Sequence, residues 1–447
     1  MNEEISNTKL QQILRKKIAE NPKDVVLMKS ILYCGSKVIH QMAMTPAVYV
    51  LTDDADAKLF GTTSCKNTWV CPVCSARKMA TYAAEIAVAI DALKQWKNQV
   101  ACMITFTVPH TISMSCQETS EILFNTWKDF ITHGNRCGKN KYYRRQNGQK
   151  ILTEGATYIK DPFSQFCQHF NCSHRVRVGE YTWGKHGWHP HFHCLFWVDK
   201  NKLQEVKDWQ ETLNKRWYEL ALKQTIKIWN KLYPENKKNN CIRANIMYDK
   251  MDKKGSQGIY ISVDKDGKVI EQKSSQYICG WGADKELTGN YQSKATNPEH
   301  FSPRQLLEKY QETHDEKWLD IFMEMARTTR LKTYRRVMFS TQSGIKKIIA
   351  EWKKTHRYIE TLKKKALEKA ANRGVWRVVY SFNEKQWSQI YWHPTNHNLI
   401  PEILARARLP DPAQQIEDLL RANEIDIYPQ NDLKQAMFIE NLFNETA

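Results

Sequence analysis

The stretch Trp188-His189-Pro190-His191-Phe192-His193-Cys194-Leu195-Phe196-Trp197-Val198 decides how this chain is read. Its apolar flanks and its alternation mark a β-strand, whose successive side chains point to opposite faces of a sheet. His191 and His193 therefore leave one face, about 7 Å apart along the strand before their side chains converge. Two imidazoles at that spacing on a rigid strand suit a single divalent cation. The plainer alternative is a strand with a few polar residues on its solvent face. Three histidines within five residues, bracketed by two tryptophans, weigh against it.

The preceding run, Ser173-His174-Arg175-Val176-Arg177-Val178-Gly179-Glu180-Tyr181-Thr182, alternates too, and Gly184-Lys185-His186-Gly187 supplies a turn. A four-residue loop pairs Trp183 with Trp188 and sets Glu180 opposite His191. Directly opposed residues of an antiparallel pair share a face, so a carboxylate joins the two imidazoles. Two histidines and one carboxylate leave coordination positions open, which catalysis requires and a structural site does not. Other loop lengths turn Glu180 away.

His191-Phe192-His193 resembles the His-hydrophobic-His motif of the HUH endonucleases. The wider run, Arg177 to Glu180 followed by Gly187 to His193, is similar to plasmid rolling-circle replication initiators. The resemblance implies an α+β fold, an HUH-type antiparallel sheet packed with helices. It also implies Mg²⁺ or Mn²⁺ held by His191, His193 and Glu180.

Composition agrees with a nucleic-acid partner. Lys and Arg outnumber Asp and Glu by 67 to 48 in 447 residues, a net charge of +19 that favours a polyanion. An anionic membrane surface would also attract that charge, but no apolar run approaches the length of a spanning helix. Met1-Asn2-Glu3-Glu4-Ile5-Ser6 has no apolar core behind its charges, so no secretory signal is visible and the expected location is cytoplasmic. Twelve cysteines then read as reduced thiols, some on metal, rather than as a disulfide frame.

Cys71-Pro72-Val73-Cys74 is a knuckle whose two thiolates can face one zinc ion, and Cys65 and Cys34 are the natural completion of a four-sulfur structural site. Buried reduced cysteines are the alternative. The stretch resembles the Cys-rich segment ahead of the catalytic core in the same initiators.

The second chemical element is Ser275-Gln276-Tyr277-Ile278-Cys279-Gly280-Trp281-Gly282-Ala283-Asp284-Lys285-Glu286-Leu287-Thr288. If helical, it places Tyr277, Trp281 and Asp284 on one face. It resembles the family's tyrosine motif, Tyr-x-x-Lys-(Tyr/Trp), which makes Tyr277 the expected nucleophile. The family's lysine is Gly280 here, and Lys273, four residues before Tyr277, can present an ammonium on the same helical face instead.

Three regions follow: residues 1–99, helical and Cys-rich; 100–300, the HUH catalytic unit; and 301–447, a basic helical C-terminal region. Residues 1 to about 30 read as peripheral helix, Ala76 to Trp96, Gln117 to Phe130 and Lys202 to Tyr233 as helices, and Ala101 to His110 as a strand beside the histidine strand. Trp209, Trp217 and Trp229 read as core. Asn135 to Lys150 reads as a basic loop with embedded tyrosines, suited to single strands. Cys241 to Tyr248, Gly258 to Val263 and Trp376 to Phe382 read as short strands, Ser302-Pro303 as a helix start, and Trp352 to Arg373 as a basic helix.

The resemblance implies an enzyme that nicks plasmid origin DNA, duplex and single-stranded, through a 5′-phosphotyrosine intermediate. It leaves a 3′-hydroxyl primer, works with a host helicase and replicative polymerase, and later rejoins the strands. Rival readings are an HUH-type transposase and a non-catalytic, zinc-stabilised DNA-binding protein.

Overall fold

The computed structural model describes residues 7–38, 47–52, 57–132, 143–146, 149–152, 161–253, 258–271, 300–330, 339–341, 343–355, 377–392 and 399–427. Helices and antiparallel sheets are mixed throughout. The chain opens with α1 (Asn7–Ala19) and α2 (Pro22–Leu32), then β1 (Ala47–Thr52), β2 (Ala57–Phe60) and the long α3 (Pro72–Lys97). Next come β3 (Gln99–Thr107), α4 (Cys116–Thr132), the small hairpin β4 (Tyr143–Gln146) and β5 (Gln149–Leu152), and α5 (Pro162–His169). The hairpin β6 (Arg175–Gly184) and β7 (Gly187–Asp199) leads into α6 (Gln210–Leu232), α7 (Lys237–Lys253) and β8 (Ile259–Ile261). Beyond them lie β9 (His300–Phe301), helices Pro303–Thr313 and Glu316–Arg330, β10 (Phe339–Thr341), helix Ser343–Thr355, β11 (Arg377–Asn383) and three further helices.

The central sheet runs β10-β6-β7-β3-β8, with β9 also paired to β6. The histidine strand β7 sits in the middle, between the Glu180 strand and the threonine-bearing β3. Both faces of the sheet are covered there, which explains why β7 is continuously apolar from Cys194 to Val198. On one face Phe192, Cys194, Phe196 and Val198 join Val100, Cys102, Ile104 and Phe106 against α4, α5 and α6, including Trp217 and Trp229. On the other, Leu195 and Trp197 join Ala101, Met103, Val176 and Val178 against α3 and helix Ser343–Thr355.

The β6–β7 register sets Trp183 opposite Trp188, Glu180 opposite His191 and Gly184 opposite Gly187, so the turn itself is Lys185 and His186. Gly187 takes φ +88, and an added Cβ would lie 3.1 Å from Ile112 Cα. Backbone conformation and close approach both require glycine there.

Two sequence expectations are corrected. Residues 241 to 248 belong to helix α7, not to a strand. Ile242, Ala244, Ile246 and Tyr248 alternate with period two, but the inward side chains are Asn240, Ala244 and Tyr248, one helical turn apart, and Ile242 and Ile246 are exposed. Helices α1 and α2 are not peripheral either. Leu10, Leu14, Ile18, Met28 and Ile31 are fully buried against Leu306, Leu307, Phe322 and Met323 of the two helices after residue 302. Asp24 accepts a two-pronged hydrogen bond from the Arg327 guanidinium at 2.9 and 2.8 Å across that contact. Helix Pro303–Thr313 begins as its sequence indicates, with a capping box between Ser302 and Gln305. In the same way β1 pairs with β11, so residues near 50 and near 380 share one three-stranded sheet.

Candidate metal centre

Alternation along β7 sends His189, His191 and His193 to the same face, and the hairpin register brings Glu180 beside them. Glu180 Oε2 lies 3.0 Å from His191 Nε2 and 3.0 Å from His193 Nε2. The two Nε2 atoms are 3.1 Å apart. Three ligand atoms thus form a nearly equilateral triangle around one point, and the group can hold a metal ion. His191 and His193 are buried, at 9% and 5% exposure, while Glu180 keeps more contact with solvent.

The second nitrogens orient the rings. His191 Nδ1 lies 3.2 Å from the His189 carbonyl, which can only accept, so Nδ1 carries the proton and neutral His191 aims a lone pair at the Glu180 carboxylate. Two acceptors facing each other at 3.0 Å require a cation or a proton between them. His193 Nδ1 is 2.9 Å from Thr105 Oγ1 on the adjoining strand. The triangle is therefore braced from outside, as ligating imidazoles are.

Electrostatics follow the geometry. Burial pushes the Glu180 carboxyl up, but the charge and hydrogen bonds of His191 and His193 outweigh it and hold Glu180 well below the usual carboxylate range. Burial pulls His191 down, and the Glu180 charge and hydrogen bond more than offset this, leaving it raised. His193 stays lowered by burial, and His189 is lowered further by burial and the neighbouring imidazoles.

A second cluster gathers Cys34, Cys65, Cys71 and Cys74. Cys34 follows α2, Cys65 lies in the loop after β2, Cys71 is the N-cap of α3, and Cys74 sits in its first turn. Sγ of Cys74 is 3.5 Å from those of Cys34 and Cys65, and Sγ of Cys71 is 3.8 Å from that of Cys34. These separations are far beyond a disulfide bond and fit four sulfurs around one ion. Donors surround the sulfurs: Gln11 Nε2 reaches Cys71 Sγ at 3.0 Å, and the Cys65 and Asn67 amides reach Cys34 and Cys65 at 3.3 and 3.4 Å. Hydrogen bonding from Cys65 and Cys71 pulls the Cys34 thiol down to about 7. The N-terminus of α3 adds its partial positive charge at Cys71 and Cys74.

Lys273 and Tyr277 lie outside the described residues, as does most of the basic stretch 135–150.

No family model matches the chain, and no solved structure matches it. Among curated proteins it is similar to a neomycin resistance protein of Streptomyces cyanogenus, 28% identical over 159 residues, which is 34% of this chain and 34% of the other. The chain thus spans about a third of the length of that relative.

Several residues at the metal centre have no counterpart in the motif reading. Thr105 and Thr107 of β3 face the histidines, and Thr107 Oγ1 is 2.7 Å from His189 Nε2. The His110 ring packs at a tilt against His189 with centroids 4.6 Å apart, and the His300 centroid lies 6.4 Å from the same ring. Two threonines in alternation within an otherwise apolar strand were the available signal for the first pair. Nothing local marks His110 or His300, which arrive from a loop and from a strand more than a hundred residues downstream.

Proposed function

We propose that this protein is a rolling-circle replication initiator of the HUH endonuclease class, which nicks one strand of a plasmid origin. The observation that carries the reading is the triangle of Glu180 Oε2, His191 Nε2 and His193 Nε2 with sides of 3.0 to 3.1 Å. A cation bound octahedrally at about 2.1 Å spaces neighbouring ligand atoms about 3.0 Å apart. A tetrahedral ion at a similar ligand distance would need about 3.4 Å. That spacing suits Glu180, His191 and His193 to hold Mg²⁺ or Mn²⁺ together. The central position of the histidine strand in an antiparallel sheet supports the HUH-type fold.

Once bound, the cation supplies Lewis-acid polarisation of the scissile phosphodiester. Tyr277 is the nucleophile in this reading: its phenol oxygen bonds to phosphorus and yields its proton to solvent water, and the bond from phosphorus to the 3′ oxygen breaks. The departing 3′ oxygen takes up a proton and becomes the primer hydroxyl. The 5′ end stays on the protein as a phosphotyrosine ester, ready for a rejoining transfer. Lys273 would offer the ammonium that Gly280 cannot.

The four cysteines suit structural zinc. Tetrahedral Zn²⁺ with Zn–S bonds of about 2.3 Å sets sulfurs about 3.8 Å apart, close to the observed 3.5 to 3.8 Å. Four thiolates leave no open position, so this ion holds structure while the other serves chemistry. Net charge of +19 supports a DNA partner, with host helicase and polymerase acting on the exposed primer in the cytoplasm. Among the described residues no helix is long and apolar enough to cross a membrane.

The test is cleavage of an end-labelled single strand carrying the plasmid's nick site, with and without Mg²⁺ or Mn²⁺. Metal-dependent cleavage that leaves a 5′ adduct on the protein is expected. Binding without cleavage in either metal overturns the reading in favour of a non-catalytic DNA-binding protein.

A further inference from the structure

The row Val178–His193–Thr105–Tyr260 crosses four strands of the central sheet, and opposed residues put all four side chains on one face. At one end Val178 lies under α3 and helix Ser343–Thr355. At the other, Tyr260 is 45% exposed at the sheet's edge strand. Two strand spacings separate its column from that of His193, about 10 Å.

The ring is carried on fixed backbone. Ile259 and Ile261, at 0% and 6% exposure, bury into the opposite face of the sheet and leave Tyr260 pointing to the histidine side. Asn214 Oδ1 accepts from the Gly258 and Ile259 amides at 2.7 and 3.1 Å. Gly258 itself packs so closely that an added Cβ would lie 2.5 Å from Trp217 Cδ1. A half-exposed aromatic held this firmly beside a metal centre is a preformed contact surface.

We propose that Tyr260 is the stacking platform for a base of the single strand whose phosphate is held at the Glu180–His191–His193 centre. The inference rests on the DNA-cleaving reading above and adds to it the side chain that receives an unpaired base. Base stacking on an aromatic side chain needs a base whose face is open, which a duplex does not offer. The positive net charge of the chain suits the backbone of that strand.

The experiment compares the full-length protein with Tyr260→Ala and Tyr260→Phe, using fluorescence anisotropy of a labelled oligothymidylate and of a duplex of equal length at one salt concentration. Tyr260→Ala is expected to weaken single-strand binding about 5- to 150-fold, Tyr260→Phe to keep wild-type affinity, and both to leave duplex binding unchanged. Three results overturn the platform: Tyr260→Ala binding like wild type, Tyr260→Phe losing as much as Tyr260→Ala, or duplex binding falling in parallel. A wild-type protein that binds no single strand overturns the DNA-cleaving reading along with it. If wild type binds and Tyr260→Ala is unchanged, only the platform fails.

Discussion

Thr105 Oγ1 lies 2.9 Å from His193 Nδ1, across the β3–β7 ladder where the two residues are directly opposed. The hydroxyl fixes the plane of the imidazole that shares the Glu180 oxygen with His191. Removing such a support costs about 10- to 100-fold in metal affinity at comparable sites. Thr105→Val keeps the shape of the side chain and deletes only the hydroxyl, so Mn²⁺ affinity by calorimetry should fall by about tenfold or more, with Thr105→Ser restoring it. Unchanged affinity in Thr105→Val would show that the ring is held by packing alone.

His191→Ala removes a ligand from the triangle and should abolish divalent-dependent cleavage while leaving the circular dichroism spectrum intact. Wild-type cleavage by this variant in Mg²⁺ or Mn²⁺ would place the metal elsewhere.

Proton and metal compete for His191. Its folded pKa is raised, chiefly by the Glu180 charge against the pull of burial. In the metal-free protein that shift stabilises the fold below the ordinary imidazole pKa and is lost as pH rises through the raised value. Metal binding must expel the same proton, so Mn²⁺ affinity should climb as pH rises through the His191 pKa. Glu180→Gln removes the charge that raises it, so the climb should begin at lower pH, at weaker overall affinity. A midpoint unmoved by Glu180→Gln would separate the titration from His191.

Cys34, Cys65, Cys71 and Cys74 should hold about one zinc per chain by elemental analysis, and it should survive mutation of both His191 and His193. Chelation strong enough to remove it should lower the unfolding midpoint, because the site ties α2, the loop after β2 and α3 together. Zinc lost with the histidines would mean one shared metal population.

On the proposed reading, in which the phenol oxygen attacks phosphorus, Tyr277→Phe should bind origin DNA normally yet form no covalent adduct. Lys273→Ala should slow cleavage, because an ammonium lowers the cost of ionising a phenol whose reference pKa is about 10. Peptide mapping of the trapped adduct decides the assignment, and a link through Tyr260 or Tyr291 would overturn it.

At the N-terminal contact, Asp24 is 3% exposed and is met by the Arg327 guanidinium. Asp24→Asn leaves that guanidinium facing an amide and should cost about 1–3 kcal/mol in denaturant unfolding. Because the Arg327 side chain is 45% exposed, solvent should keep the loss towards the lower end.

The gathering of His191, His193 and Glu180 was largely legible in the sequence because its geometry is local. His191 and His193 share a face by strand periodicity, and the glycine-flanked turn fixes which residue of β6 stands opposite them. The knuckle Cys71–Cys74 was legible for the same reason, as both thiols belong to one helix start. Where a period was ambiguous, reading failed: residues 241 to 248 fit alternation and helix equally, and packing of Ala244 and Tyr248 under α6 selected the helix.

By itself, then, the sequence determined the histidine strand, the cysteine knuckle and the character of the charge, because short-range backbone periodicity and composition encode each of them, while Glu180 waited on the length of the β6–β7 turn. Tertiary structure alone decided that Thr105 and Tyr260 share the histidine face, that His110 and His300 crowd His189, and that one side of α1 and α2 joins the core. Those facts depend on which strands become neighbours and which helices bury α1 and α2, at separations of up to about three hundred residues such as Asp24 to Arg327. No local pattern records contacts of that range; burial of apolar surface over the whole chain selects them.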